Sequence, residues 1–482
     1  MNRVEQLIFS LFPHEPTTGQ RQACSELVSF LYDSDPCSTF LLRGYAGTGK
    51  TSLVSALIKA APYLRIKTLL LAPTGRAAKV LSNYSGKQAY TIHKKIYHTI
   101  TDGSGMPHTV LAKNKYSYTL FIVDEASMIS AIAEEGGYVG RRSLLEDLTT
   151  FVREGSHCRL MLIGDSAQLP PVGSSDSPAL STEYLEHSFD LKVYQAELTE
   201  VVRQEKQSGI LSNATMLRRM IMEDDYAEEG RRPHFMLDDF DDVVRLHGSD
   251  LEETLNREYS EGTLDDVVFI CRSNKRANLY NQSIRNRILF REDEVGTGDY
   301  LMVVKNNYYW LDEDSEMGFI ANGDIVEVVS ARNYEELYGF HFVDVSLRFV
   351  DYPDMETLDC KILLETLHSE SASLTREETQ KLYTEVLADY ADLPTKAEQL
   401  NAMRQNPYYN ALQVKFSYAL TCHKTQGGQW PVVFVDQGYL SDEDIDRNYL
   451  RWLYTAVTRS TQKLYLLNFS DDFFQEGKGN ED

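Results

Sequence analysis

Apolar residues occur along the chain in two alternating patterns. Short continuous runs of strand length are followed by loops, and then by segments in which apolar residues recur every three or four positions. The runs are typical of strands buried on both faces of a parallel sheet, and the recurring pattern is typical of amphipathic helices. The runs are Thr39–Leu42, Lys67–Ala72, Tyr118–Val123, Arg159–Ile163, Val267–Cys271, Val432–Asp436 and Leu464–Leu467. The pattern predicts an α/β fold whose parallel sheets are flanked by helices.

One long segment departs from this pattern. Residues 290–365 have β character, with turn signals at Gly296–Asp299 and Asn322–Asp324 and alternation at Ile325–Val329, which together predict a small barrel. A capping box at Thr375–Glu378 then predicts a helix. We therefore expect an inserted β-rich module with a helical appendage.

A shorter departure lies in the first half of the chain. Residues 98–118 predict a β-hairpin around the turn signal Asp102–Gly105. This hairpin is either a simple protrusion or a pin that separates two nucleic-acid strands. Met106 and Pro107 are candidates for the separating residue by position alone.

The segment Gly44–Thr51 (GYAGTGKT) separates the first apolar run from a helical segment that starts at Ser52. Strand, glycine loop and helix form the context in which this motif binds phosphate. Glycines let several backbone N–H groups converge on phosphate oxygens, and the helix N-terminus adds its positive end. Lys50 is expected to reach the β- and γ-phosphates, and the Thr51 hydroxyl to bind Mg²⁺. The chain is therefore expected to bind a nucleoside triphosphate.

Two acidic residues follow the third apolar run directly. Asp124 stands at the end of the predicted strand, where a carboxylate can hold Mg²⁺ through water. The adjacent Glu125 can polarise an attacking water molecule. We expect this pair to complete a hydrolytic site.

Three further residues suit the same site but leave alternatives open. Gln168 follows the fourth run, on the sheet edge where ligands bind, and is expected to sense the γ-phosphate. Arg203 is either an arginine finger or the partner of Glu200 in a surface ion pair. Gln20 offers an amide that suits an adenine edge, or it simply starts a helix.

Two other strand-to-helix junctions carry positive charge, hydroxyl groups and a histidine. They are Pro73–Lys79, which contains Thr74 and Arg76, and Thr91–Lys95, which contains His93. These groups suit the phosphates of a nucleic-acid backbone, although each junction can also be a solvated helix start.

Composition narrows the functional class only slightly. The net charge of −24 (48 basic and 72 acidic residues) counts against nucleic-acid binding, but the acids are clustered and a local basic groove can coexist with them. The six cysteines form no C-x-x-C pair, which argues for a reducing compartment. The segment Met1–Phe12 predicts an amphipathic helix, and no apolar run is long enough to span a bilayer. We expect a cytoplasmic protein of a bacterial or phage-infected cell, with no membrane partner.

Eight motifs occur in the order found in superfamily 1B helicases, and the chain most resembles their RecD and Dda group. They are GYAGTGKT, APTGRAAK, TIH, DEAS, GDSAQLPPVG, VVRQ, YALTCHKTQG and YTAVTR, and they span residues 44–459. The related Pif-type helicases carry an extended signature with a PFGG segment, and residues 129–163 contain no such segment. This departure favours the RecD and Dda side.

The resemblance implies a role for each matching residue. Catalytic roles in ATP hydrolysis fall to Lys50, Asp124, Glu125, Gln168, Arg203 and Arg459, the two arginines reaching from the second domain. Nucleotide binding falls to Gln20, Gly44, Gly47, Thr48, Gly49, Lys50, Thr51, Ser52 and Gly427, and Mg²⁺ to Thr51 and Asp124. The single-strand track is implied at Pro73, Thr74, Arg76, Thr91, His93, Thr421, His423 and Lys424. At Pro16, upstream of Gln20, the family usually has leucine.

The resemblance also implies the architecture and the activity. The fold would contain two RecA-like P-loop NTPase domains: 1–195, with the pin at 98–118, and 196–289 joined to 411–482. A barrel resembling Src-homology-3 domains would occupy 290–410. The implied function is an ATP- and Mg²⁺-dependent DNA helicase that moves 5′ to 3′ on single-stranded DNA and opens tailed duplexes, active as a monomer. An RNA helicase and a translocase or adaptor that does not unwind by itself remain alternatives.

Overall fold

The computed structural model describes residues 3–101, 107–133, 142–201, 208–223, 232–238, 240–311, 317 and 319–474. Across these ranges the chain forms two parallel sheets flanked by helices, one closed barrel and one two-stranded hairpin. The predicted fold class, two RecA-like domains with a hairpin and a barrel inserted, is confirmed. Among the described helices, none is both long and apolar enough to cross a membrane.

The first domain is a six-stranded sheet in the order β3-β2-β6-β7-β1-β8, and every neighbouring pair is parallel. Its elements are α1 (Arg3–Ser10), α2 (Thr18–Tyr32), β1 (Ser38–Gly44), α3 (Lys50–Ala60), β2 (Lys67–Ala72), α4 (Gly75–Ser85), β3 (Ala89–Thr91), α5 (Ile92–Ile96), β4 (Tyr97–Thr101), β5 (Pro107–Leu111), β6 (Thr119–Val123), α6 (Leu144–Glu154), β7 (Arg159–Gly164), α7 (Thr182–Phe189) and β8 (Lys192–Leu198). Strand β6 is buried at every position, as expected for a sheet covered on both faces. Because β8 pairs with β1, the domain extends through Leu198, beyond the predicted boundary at 195.

The second half of the chain continues in order. Its elements are α8 (Gly209–Glu223), β9 (Val243–Leu246), α9 (Leu251–Glu261), β10 (Val267–Cys271), α10 (Asn274–Ser283), β11 (Tyr300–Val303), β12 (Ile325–Leu337), β13 (Phe340–Phe349), β14 (Leu358–Leu363), α11 (Glu365–His368), α12 (Arg376–Ala388), α13 (Lys396–Arg404), β15 (Leu412–Phe416), β16 (Ala419–Thr421), β17 (Trp430–Asp436), α14 (Arg447–Val457) and β18 (Ser460–Leu467). The second sheet has the order β16-β10-β17-β18-β9, again all parallel.

The barrel closes in the order β11-β12-β13-β14-β15. Its last strand, β15, pairs with β11 and β14, so the barrel ends at Phe416 and the predicted boundary at 410 is wrong. The turn residues before β15 carry no signal that separates a barrel strand from the strand of the next domain. One apolar core joins Val326 and Ile362 of the barrel to Phe269 and Phe434 of the second sheet, so the two pack as one body.

The predicted hairpin is formed by β4 and β5, which pair antiparallel from Tyr97–Leu111 to Thr101–Pro107. Its predicted turn and the candidate tip residue Met106 lie outside the described residues. Pro107 opens β5. At the base of the hairpin, the Tyr97 hydroxyl donates to Asp147 Oδ2 at 2.8 Å, which fixes it to α6.

Candidate nucleotide site between the two domains

The phosphate loop connects the end of β1 to the start of α3. Gly47 and Gly49 have φ angles of 71° and 80°, in the left-handed region that favours glycine. A β-carbon on Gly44 would lie 2.9 Å from Lys50 Cγ, so this position is also restricted to glycine. The loop therefore has the backbone that a phosphate cradle requires.

Lys50 lies across this loop. Its Nζ donates to the carbonyls of Gly44 at 2.6 Å and Tyr45 at 3.0 Å. Thr48 turns its hydroxyl inward and donates to the Tyr45 carbonyl at 2.8 Å, so its side chain shapes the loop. Thr51 is exposed in the first turn of α3, next to Ser52. The loop thus places one ammonium group and one exposed hydroxyl at the helix N-terminus.

The acidic pair stands where β6 ends. Asp124 Oδ2 accepts from the Tyr84 hydroxyl at 2.6 Å, and Oδ1 accepts from the backbone N–H of Glu125 at 2.8 Å. Glu125 has a φ of 52°, a left-handed backbone that is uncommon for a non-glycine residue and concentrates at functional sites. Tyr84 belongs to no motif, and only the fold reveals its contact with Asp124.

Burial raises the pKa of Glu125, and this effect is opposed mainly by the positive charge of Arg459. Lys50 also lowers the pKa, whereas Asp124 and Asp165 raise it. Arg459 follows α14 of the second domain and is 3 % exposed. An arginine of one domain therefore acts electrostatically on the acidic pair of the other.

Arg459 is held by backbone carbonyls. Its Nε donates to Thr455 O at 3.1 Å, and one terminal nitrogen donates to Gly428 O at 3.0 Å. Across the cleft, Gln168 is 6 % exposed and its Oε1 has no hydrogen-bond partner among the described residues. A buried, unpaired amide oxygen is costly, so Gln168 is suited to a ligand that completes it.

Helix α14 closes directly onto the first domain. The Tyr454 hydroxyl donates to Asp165 Oδ2 at 2.6 Å and accepts from the Ala46 N–H of the phosphate loop at 2.9 Å. Thr455 Oγ1 accepts from the Leu169 N–H at 2.9 Å. Tyr454 and Thr455 lie in the YTAVTR motif, but the motif alone does not indicate these contacts.

For two residues, Gln20 and Arg203, the predicted contact with the nucleotide stays a prediction. Gln20 is fully buried: its Oε1 accepts from the Thr17 N–H, and its Nε2 donates to the Thr48 and Gly49 carbonyls at 3.3 Å. Its amide therefore supports the phosphate loop in this structure, and contact with adenine stays a prediction. Arg203 lies outside the described residues, and its role as a finger also stays a prediction.

The residues present fit ATP and Mg²⁺. The glycine cradle, the Lys50 ammonium and the unpaired Gln168 oxygen suit a triphosphate, and hydroxyl and carboxylate oxygens at Thr51 and Asp124 are the hard donors that Mg²⁺ prefers. Because Asp124 already accepts two hydrogen bonds, it suits contact with the metal through water.

The residues predicted to line the single-strand track lie where strands of the two sheets end, at the carboxyl edge of each sheet. Thr74 caps α4 and Thr91 caps α5 through their hydroxyls, as the alternative interpretation of a helix start expected. Arg76 stacks over Trp430 at 4.1 Å and pairs with Asp265 at 3.4 Å.

His93 and the second-domain residues complete this edge. Burial lowers the pKa of His93 to about 4, so the ring is neutral at physiological pH. His423 is exposed, and Lys424 donates to Asn322 Oδ1 of the barrel at 2.7 Å. Thr421, where β16 ends, is partly buried, as is Pro73.

Gly427 lies on the strand-track side of the domain interface. It has a φ of 73°, and a β-carbon there would be 2.7 Å from Ala77 Cβ of α4. This glycine therefore permits close approach of the two domains, and its predicted contact with the nucleotide stays a prediction.

The barrel places a buried carboxylate beside the start of α4. A β-carbon on Gly75 would lie 2.8 Å from Asp324 Oδ1, and Asp324 is 3 % exposed. Burial raises the pKa of Asp324 to about 7, aided by Asp351 and opposed by the hydrogen bond from the Ala321 N–H. Lys79 of α4 pairs with Asp351 at 3.1 Å.

This carboxylate should make stability depend on pH. Between about pH 4 and pH 7 the folded protein keeps the Asp324 proton and the unfolded chain loses it, so stability falls as pH rises. We expect the free energy of unfolding to drop by up to about 4 kcal/mol over this window from Asp324 alone, and Asp324→Asn to remove that component. Urea unfolding of both proteins across the window measures it. A difference in stability between the two that stays constant with pH would contradict the assignment.

Two stretches of the chain, one from each domain, match known sequence families. Residues 16–231 match the family described as an AAA domain, and residues 416–467 match the UvrD-like helicase C-terminal domain. The chain is 28 % identical over 339 residues to the ATP-dependent DNA helicase dda of Enterobacteria phage T4, which covers 66 % of this chain and 68 % of that protein.

One further curated relative and one solved structure are also similar to this chain. The chain is 31 % identical over 174 residues to the ATP-dependent RecD2 DNA helicase of Deinococcus radiodurans, covering 36 % of this chain and 21 % of that protein. The solved structure of Pif1 helicase from Bacteroides with ADP-AlF3 and ssDNA aligns over 96 % of this chain and 95 % of that chain, at 15 % identity and a TM-score of 0.47. In its eight ordered motifs and its two family matches, the chain is similar to the superfamily 1B helicases of the RecD, Dda and Pif type.

Proposed function

We propose that this protein is an ATP-dependent DNA helicase that moves 5′ to 3′ along single-stranded DNA and opens duplexes carrying a single-stranded tail. The observation that supports it best is the site divided between two domains. Arg459 of the second domain lowers the pKa of Glu125 in the first, and Tyr454 bonds to both Asp165 and the phosphate loop. Both halves come from one chain, so a monomer would suffice for hydrolysis.

The divided site suggests how hydrolysis drives movement. Glu125 would accept a proton from the attacking water, while Lys50, Gln168 and Arg459 hold the phosphates, with Thr51 and Asp124 holding Mg²⁺. ATP would supply the phosphoryl group that is transferred to water, and Mg²⁺ would supply positive charge that offsets the negative phosphate oxygens. Tyr454 and Thr455 contact the first domain directly, so a γ-phosphate bound between the domains would favour the closed cleft.

Movement requires that both domains hold the strand. Candidate contacts at Thr74 and His93 on the first sheet and at Thr421 and Lys424 on the second lie on the same side of the molecule as the carboxyl ends of the strands. Alternate opening and closing would move one grip past the other. Backbone contacts of this kind make binding largely independent of sequence.

The test is unwinding of matched duplexes that carry either a 5′ or a 3′ single-stranded tail. We expect only the 5′-tailed duplex to open, and we expect Lys50→Ala to abolish opening. Opening of the 3′-tailed duplex alone would overturn the polarity. Single-strand-stimulated ATP hydrolysis without opening would favour a translocase over a helicase, and stimulation by RNA above that by equal lengths of DNA would favour an RNA helicase.

A further inference from the structure

A small, partly open cavity of about 20 Å³, measured as the room for the centre of a water-sized molecule, lies between α10 of the second domain and the barrel. Its apolar wall includes Met302 and Phe416, and Asn278 and Asn281 contribute amides. Two lysines, Lys415 of β15 and Lys424, line it, and the described residues that form its wall include no Asp or Glu. The cavity is therefore amphipathic and positively charged.

The two ammonium groups are held by neutral partners. Lys415 is 8 % exposed and donates to the carbonyls of Thr366 at 3.0 Å and Ser369 at 2.6 Å. Lys424 donates to the Asn322 amide oxygen at 2.7 Å. Among the described residues, neither lysine forms an ion pair, and the neighbouring Glu370 directs its carboxylate to Lys275 at 3.7 Å.

Two like charges without a counter-charge, one on the buried Lys415 and one on the partly exposed Lys424, are unfavourable next to each other. Burial lowers the pKa of each lysine to about 8, and the charge of Lys424 lowers that of Lys415 further. An anion in the cavity would remove both penalties. The cavity also includes Asn274 at the start of the ten-residue helix α10, whose positive dipole end favours an anion.

The cavity is continuous with the proposed strand track. Thr421 and Lys424, which the family motif assigns to that track, form part of its wall, and Thr421 is paired with Cys271 where β16 and β10 end. A single strand of DNA that crosses this edge of the sheet would pass the mouth of the cavity. Lys415 lies outside every motif and reaches the cavity from the barrel, so it would add a contact that the two sheets do not supply.

We propose that this cavity binds a backbone phosphate of the single-stranded DNA, held between Lys415 and Lys424, and that Lys415 is a strand-binding residue of the barrel. The inference rests on the proposed function, since it names a contact with the same substrate. It makes the barrel part of the grip of the second domain on the strand.

The test compares Lys415→Met with wild type in binding of a fluorescent oligothymidylate across salt concentrations. Loss of one phosphate contact on a single strand should reduce the slope of log affinity against log salt by about 0.7 in magnitude. Affinity at low salt should fall about tenfold, as expected for one charge-assisted hydrogen bond. Lys415→Arg should recover most of the salt slope and most of the affinity at low salt.

Lys381→Met is the matched control, because it removes the same charge from an exposed position of α12 outside the cavity. An equal loss in both variants would overturn the proposal, as would an unchanged slope in Lys415→Met. Thermal unfolding separates a structural effect: lowered affinity with an unchanged slope and a lowered Tm would mean that Lys415 only fastens the Thr366–Ser369 segment. Wild type that fails to bind the oligonucleotide at all would overturn the proposed function itself.

Free phosphate is the other source of the same chemistry. Inorganic phosphate, at the same phosphate concentration as the oligonucleotide, should raise the Tm of wild type and Lys415→Met equally. Two results together would overturn the strand assignment and make the cavity a site for free phosphate. They are a rise in Tm with inorganic phosphate that requires Lys415, and oligonucleotide binding that is the same with and without Lys415.

Discussion

Arg459→Ala is expected to lower the rate of single-strand-stimulated ATP hydrolysis by about 10³-fold, the lower end of what an arginine finger contributes. Arg459 is the largest opposing charge that lowers the pKa of the buried Glu125 from across the cleft. Its fixed planar charge suits the oxygens of a transferring phosphoryl group. Steady-state ATP hydrolysis with saturating single-stranded DNA measures the loss.

The alanine variant also loses structural bonds, because Arg459 donates to the buried carbonyls of Thr455 and Gly428. Each unsatisfied buried group costs about 1–3 kcal/mol, so the Tm should fall too. Arg459→Lys is the informative second variant. It keeps the charge but loses the fork of donors, and we expect an intermediate rate. A folded alanine variant with nearly wild-type hydrolysis would show that Arg459 only holds α14 together.

Glu125→Gln is expected to reduce the turnover of ATP by about 10²- to 10⁴-fold while leaving nucleotide binding close to wild type. The amide keeps the shape and hydrogen-bonding capacity of the side chain but cannot accept the proton of the attacking water. Hydrolysis rate and binding of a fluorescent ATP analogue, measured separately, distinguish these effects. Glu183→Gln, on the exposed face of α7, is the matched control.

The same carboxylate should set the acidic limb of the pH profile. Burial raises the pKa of Glu125, so it becomes protonated, and inactive as a base, at a higher pH than an ordinary glutamate. Wild-type hydrolysis should therefore decline on acidification at a pH above about 4.3, and the residual rate of Glu125→Gln should lack this limb. A wild-type limb that persists in the variant would assign it to another group.

Local sequence was sufficient for the elements and motifs of this protein. The GYAGTGKT loop, the acidic pair after β6 and the alternation in β12 depend on backbone geometry and side-chain period within a few residues, and the structure has each element in place. The helix caps at Thr74 and Thr91 follow from the same local chemistry. The order of the motifs was enough for the two-domain fold with its insertions.

Only the tertiary structure decided which residues from distant parts of the chain meet. No local pattern distinguishes the side chains that make these long-range contacts from ordinary core or surface residues. Examples are the hydrogen bond from Tyr84 to Asp124, the contact of Tyr454 with the phosphate loop, and the position of Lys415 and Lys424 in one cavity. The barrel boundary at Phe416 has the same origin, because β15 has the composition of any buried strand and its membership depends on which strand it pairs with. Periodicity reports whether a residue is buried, whereas the partner that buries it is determined by packing between elements far apart in the chain.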